Sequence, residues 1–138
     1  MPVRLDWQDA AHTILCFEYL GRWTWQEFKH SAREGQEMAL SVPQRIAVIA
    51  DLTNGPFVPD GAFGQVDALT RDASAHWQLV VIVGSTPTIT ALLRAFKRVY
   101  REAGQTYLVA DTIEDALNLI EEHRRQNTAI TPAPDTTP

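Results

Sequence analysis

Two stretches constrain this chain more than any others: Ile46-Ala47-Val48-Ile49-Ala50 and Leu79-Val80-Val81-Ile82-Val83. Both are apolar at every position. An exposed antiparallel strand would alternate apolar and polar residues, whereas a strand covered on both faces reads as a continuous apolar run. These two stretches therefore read as central strands of a parallel sheet with cover on both sides. Neither approaches the ~20 apolar residues of a membrane span. A parallel pair needs a crossover, and a crossover in one sheet is right-handed, so helices are expected between the strands.

The rest of the chain supplies those helices. Arg4–Trp7 is a short extended candidate, Gln8-Asp9-Ala10-Ala11 can turn the chain, and His12–Leu20 alternates as a longer strand. Together they read as an antiparallel hairpin, closed by Gly21. Thr24 followed by Glu27 has the spacing of a capping box, and Trp25, Phe28, Ala32 and Ala39 fall on one helical face before Pro43 stops the helix. After Asp51, the loop Thr53-Asn54-Gly55-Pro56-Phe57-Val58-Pro59 leads to Asp60, placed to cap a second helix bearing Phe63, Val66, Leu69 and Ala73. Ser85-Thr86-Pro87-Thr88 introduces a third helix with a broad apolar stripe, ended by Gly104. Thr106–Ala110 is a last short strand, and Thr112 with Asp115 starts the fourth helix. The segment from Gln126 to Pro138 carries three prolines and is expected to be a disordered Pro/Thr-rich tail after a single domain over residues 1–125.

The order is α/β: a mixed, mostly parallel sheet with an N-terminal antiparallel hairpin and four helices. The expected core is Ile14, Phe17, Trp25, Phe28, Ile46, Val48, Ile49, Leu69, Val81, Val83, Leu92, Phe96, Val99, Leu108, Ala116 and Ile120. In a sequentially ordered parallel sheet the crossover helices share one face. The other face must then be covered by the hairpin, the final helix or a second subunit, and a homodimer is one expectation.

Charge and cysteine content narrow the function. Seventeen acidic residues against 12 basic ones argue against a general nucleic-acid binder. One cysteine, Cys16, excludes an internal disulfide and a cysteine zinc cage. Met1-Pro2-Val3-Arg4 opens without a charged-then-apolar leader, so a cytoplasmic protein is expected. His12, His30, His76 and His123 show no metal spacing, and no Gly-x-Ser-x-Gly elbow is present. No cofactor and no enzyme activity are expected.

The passages Phe17-Glu18-Tyr19-Leu20-Gly21-Arg22-Trp23-Thr24-Trp25, Ile46–Leu52 with its following loop, and Asp111-Thr112-Ile113-Glu114-Asp115-Ala116 together resemble a STAS-like domain of the SpoIIAA-like superfamily. The likeness spans roughly Val3 to Arg125. It implies a bacterial signalling module that acts by protein–protein contact, as anti-sigma-factor antagonists do; the related CRAL-TRIO branch binds lipids instead. Antagonists of that kind carry an Asp-Ser-Ser-Gly-like motif at the second helix, with a phosphorylated serine. Here the matching stretch is Asp60-Gly61-Ala62-Phe63-Gly64, which holds no hydroxyl.

Ligands of open parallel sheets gather beyond the carboxyl ends of the strands. That rim would hold Asp51, Thr53, Asn54, Asp60, Ser85, Thr86 and Thr88. The plainer account makes Asp60 and Thr88 helix caps and the others turn residues. A second candidate is a partner surface of Trp23 with Arg94, Lys97, Arg98 and Arg101. Those four cations lie opposite the apolar stripe of the third helix and could meet an acidic partner, or simply be a solvated face. The functional expectation is a non-catalytic regulatory or interaction module. The alternative is a carrier or sensor of a small apolar or anionic ligand at the sheet–helix rim.

Overall fold

The computed structural model describes residues 3–43, 45–55, 60–61, 77–84, 86–99 and 107–130. Among the described residues five strands form one sheet in sequential order: β1 (Val3–Trp7), β2 (Ile14–Tyr19), β3 (Ile46–Asp51), β4 (Trp77–Val83) and β5 (Tyr107–Ala110). β1 runs antiparallel to β2, and every later pair is parallel. Three helices are described: α1 (Trp25–Leu40), α2 (Pro87–Val99) and α3 (Ile113–Ile130). The helix expected after Asp60 lies outside the described residues.

The two apolar runs are the middle of this sheet, with Val48 paired to Leu15 on one side and Val80 on the other. Alternation along each strand then sorts side chains into two layers. Leu15, Phe17, Tyr19, Ile46, Val48 and Val80 join Trp23, Ala39 and Ile89 on the face of α1 and α2. Ile14, Ala47, Ile49, Leu79, Val81 and Val83 join Ala116 and Ile120 of α3 on the opposite face. Each fully buried Ile, Leu or Val contributes about 1.5–3 kcal/mol. The final helix thus supplies the cover for the second face, and a second subunit is not needed there.

Local signals explain the element ends. The capping box forms as read: Thr24 Oγ1 accepts from the Glu27 N–H at 3.2 Å and Glu27 Oε1 accepts from the Thr24 N–H at 2.8 Å. Thr112 Oγ1 likewise accepts from the Asp115 N–H at 3.1 Å. For α2 the expected cap, Thr88, is corrected to Thr86. Its Oγ1 accepts from the Ile89 N–H and its carbonyl from Thr90. Pro87 takes the first helical position, where its missing N–H is harmless. Gly35 sits inside α1, where glycine normally weakens a helix. A Cβ there would lie 2.5 Å from Phe17 Cζ, so glycine lets the helix close onto the sheet.

Three expectations shift. The second strand starts at Ile14, not His12. The Asp9 carboxylate accepts from the backbone of Thr13 and Ile14 and from the Thr13 hydroxyl, extending the turn, and His12 sits at φ 57° stacked on Trp7. Burial alone would raise the Asp9 pKa, but these hydrogen bonds outweigh it and hold the carboxyl below its ordinary value. The last helix continues to Ile130, five residues into the stretch read as tail, because Gln126–Ile130 contains no proline to stop it. Of the expected core, Trp25, Phe28, Leu92 and Leu108 are half-buried, while Ile14, Phe17, Ile46, Val48, Ile49, Val81, Val83, Ala116 and Ile120 are buried. Leu69 lies outside the described residues.

Candidate functional site

The carboxyl ends of β2, β3 and β4 meet at one rim, and backbone hydrogen bonds knit them together. The Leu52 N–H donates to the Val83 carbonyl at 2.8 Å, and the Gly21 N–H to the Asn54 carbonyl at 3.0 Å. Asp51 Oδ1 accepts from the Thr53 N–H at 3.0 Å and turns the chain out of the strand. Asp51 is half-buried, whereas Thr53 and Asn54 are exposed. Thr86 stands beyond β4, its hydroxyl engaged as the α2 cap. The structure therefore brings Asp51, Thr53, Asn54 and Thr86 to one rim, and engages the side chains of Asp51 and Thr86 in structural hydrogen bonds to backbone N–H groups. Ser85 lies outside the described residues.

The aromatic residues at the start of α1 hold Gly55 and Asp60, which follow β3. Trp23 Nε1 donates to the Gly55 carbonyl at 3.1 Å, and Trp25 Nε1 donates to the Asp60 carbonyl at 2.6 Å. The rings support one another: Trp23 lies 5.1 Å from Trp25 at 90° and 4.9 Å from Tyr19, and Trp25 meets Phe28 edge-on at 5.1 Å. Burial pushes the Tyr19 phenol up, so it stays protonated. Asp60 itself is exposed, beside Gly61 at φ 84°.

This arrangement corrects the reading of Trp23 as partner surface. At 3% exposure it is part of the core, because its large ring fills the gap between α1 and the β3 loop and its N–H finds a carbonyl there. Trp25 is the more exposed of the pair. The cations of α2 stand apart from the tryptophans in role: Arg94 and Arg98 are exposed and Lys97 is half-buried. Arg101 lies outside the described residues. The tether from Trp25 to Asp60 was invisible to sequence reasoning, because nothing in the spacing of 35 residues marks it.

Among the described residues no group of three His, Cys, Asp or Glu side chains could hold a metal ion. The sheet carries Cys16 beside Asp6, Glu18 and Asp51 on the α3 side. Burial first, and then those three carboxylates, push the thiol up to about 11. A thiolate is the reactive form. At pH 8 Cys16 is therefore expected to alkylate roughly 10²-fold more slowly than a free cysteine of pKa ~8.5, from the ratio of thiolate fractions. Iodoacetamide labelling of the folded and urea-unfolded chain, followed by intact mass, reads the ratio. Equal rates would contradict the buried, anion-flanked setting.

The sequential sheet, its antiparallel first strand and its two helical layers define the STAS fold. A similar solved structure is that of the anti-sigma factor antagonist SpoIIAA in its unphosphorylated form, with a TM-score of 0.61 over 87% of this chain and 96% of that one. Sequence identity is 12%, so the shared property is the fold. No family model matches the chain, and no curated protein does. Among the described residues no helix is long and apolar enough to cross a membrane.

Proposed function

We propose that this protein is a non-catalytic regulatory module that binds a protein partner through the rim beyond β3, without the phosphoserine switch of anti-sigma-factor antagonists. One observation carries the reading. Two tryptophan N–H groups hold the Gly55 and Asp60 carbonyls, beside the exposed Thr53, Asn54 and Asp60. Backbone tethers at Gly55 and Asp60 lower the ordering cost that recognition by these polar groups carries. A solved structure of similar fold is that of an anti-sigma factor antagonist, a protein named for a protein-directed role. The sequence supports the absence of a switch: Asp60-Gly61-Ala62-Phe63-Gly64 has no hydroxyl to phosphorylate.

The carrier reading has less support. Between the sheet and α1 the space is filled by Leu15, Phe17, Tyr19 and Trp23, packed closely enough that Gly35 has no room for a Cβ. Native intact-mass measurement on protein purified from its source separates the two. The interaction reading expects the bare polypeptide mass or a protein complex. A stoichiometric lipid or metabolite adduct would replace it with the carrier.

Asp60 offers a sharper test of how the rim works. Its carboxylate could stand in permanently for part of a phosphate's charge, or could only shape the start of the following segment. Asp60→Asn removes the charge and keeps the shape and capping capacity. For a protein partner that co-purifies with the chain, affinity unchanged in Asp60→Asn but lost in Asp60→Ala is the expected result. That outcome makes Asp60 structural. A loss of affinity in Asp60→Asn equal to that in Asp60→Ala would make its charge the recognised feature.

A further inference from the structure

At the opposite end of the sheet, β5 pairs with β4 on one edge, and among the described residues no strand pairs with its other edge. Where β5 passes into α3 lies an open groove floored by Val109–Asp111 and walled by Asp115, Asn118, Leu119 and Glu122 of α3. The four wall residues follow the i, i+3, i+4, i+7 spacing of one helical stripe, next to the Ala116 and Ile120 stripe that packs on the sheet. Asp111, Asp115 and Glu122 are exposed, and Leu119 is half-buried among them. From Asp111 to Glu122 the chain has five carboxylates and no Lys or Arg. The groove is therefore anionic, with Val109, Ala110 and Leu119 as the apolar part of its lining.

α2 has the opposite character. It presents Arg94, Lys97 and Arg98 and contains no Asp or Glu. It lies on the other face of the sheet from α3, since Ile89 packs with the α1 layer and Ala116 and Ile120 with the opposite one. The protein thus carries two complementary surfaces, one on each face, in a chain whose net charge is -5. Surfaces of opposite sign attract and orient encounters, and like surfaces resist pairing. This disfavours a symmetric contact of α2 with α2, or of groove with groove.

We propose that the chain self-associates head to tail, the basic face of α2 from one copy seating in the acidic groove where β5 passes into α3 of the next. The inference is independent of the rim beyond β3. Such a contact is heterologous, so it builds closed rings or open rows according to the rotation between copies. The groove is small beside the ~800 Å² per partner of a stable interface, so the association is weak and salt-sensitive.

The test uses the full chain in sedimentation velocity at low and high ionic strength. Raising NaCl from about 20 mM to about 500 mM shortens the Debye length from about 20 Å to about 4 Å. The wild type is expected to associate at low salt and to dissociate at high salt. Asp115→Asn/Glu122→Gln and Arg94→Gln/Lys97→Gln/Arg98→Gln are each expected to be monomeric at low salt, with association weakened about tenfold or more, as each lost surface pair costs up to about fivefold. Their equimolar mixture keeps one intact groove and one intact α2, and is expected to form a 1:1 dimer and nothing larger. Circular dichroism checks that both variants remain folded, as substitutions at exposed polar positions should. A wild type monomeric at low salt, or a mixture that stays monomeric while the wild type associates, overturns the proposal. So does a groove that binds a Lys/Arg-rich peptide while the wild type remains monomeric, which would assign it to another protein.

Discussion

Trp23→Ala is expected to remove about 3–5 kcal/mol of unfolding free energy, the cost of truncating a buried tryptophan. A domain of this size has only about 5–15 kcal/mol in total, so much of the protein should unfold under mild conditions. Two losses add. The indole is 3% exposed among Tyr19, Trp25 and Phe28, and its removal leaves a cavity under the start of α1. Its N–H also satisfies the Gly55 carbonyl, and Gly55 is buried. Trp23→Phe separates these effects. It keeps most of the apolar ring and orphans the carbonyl, which should cost about 1–3 kcal/mol. Trp25→Phe, at a half-buried position, should cost less. Urea unfolding followed by circular dichroism gives all three values. A Trp23→Ala effect under about 1 kcal/mol would mean that the loop after β3 is not anchored there.

Gly84→Ala should have the second-largest effect, about 2–5 kcal/mol. The residue ends β4 at φ 76°, a left-handed conformation that costs an L-residue with a side chain about 1–2 kcal/mol. A Cβ would also lie 2.6 Å from the Thr53 nitrogen and 2.7 Å from its Cα. Those atoms are backbone, so the β3 and β4 ends must separate, a form of overpacking that costs about 1–3 kcal/mol. The damage should be local as well as global. Amide exchange at Leu52, whose N–H donates to Val83, is expected to accelerate in Gly84→Ala beyond what the global stability change explains. Uniform acceleration across the sheet would show that the rim contact carries no separate role.

Which parts of this were readable from residue order follows from the range of each interaction. Thr24 and Glu27 are three residues apart, so their reciprocal hydrogen bonds are written in the local sequence, as is the Thr112 cap of α3. The α2 start was harder, because Thr86 and Thr88 both precede apolar helical residues. Pro87 is compatible with either account, and only the hydrogen bond to Ile89 decides it. The turn at Asp9 hid in the same way. Its carboxylate reaches forward four and five residues, which delays the strand past His12. The continuation of α3 to Ile130 went unread because the prolines that follow dominated the composition of that segment.

The site was less legible than the fold. Asp51, Thr53 and Asn54 were found because strand ends in parallel sheets place residues at a rim whatever their identity. Trp23 reads as partner surface in the sequence because a tryptophan near a helix start looks alike there whether it is outside or inside. Its burial depends on Gly55, 32 positions away. The acidic stretch Asp111–Glu122 was visible as residues, but its meaning as a groove wall depends on how α3 lies against the end of β5.

The α/β class, the parallel centre of the sheet and the caps of α1 and α3 follow from residue order, because continuous apolar runs and short-range hydrogen bonds are local properties. Tertiary structure alone decided which helix covers the second face, which tryptophan is buried, and which charged residues share a surface. Those outcomes arise from contacts between segments far apart in the chain, where the free energy belongs to the pair and neither partner's local pattern records it.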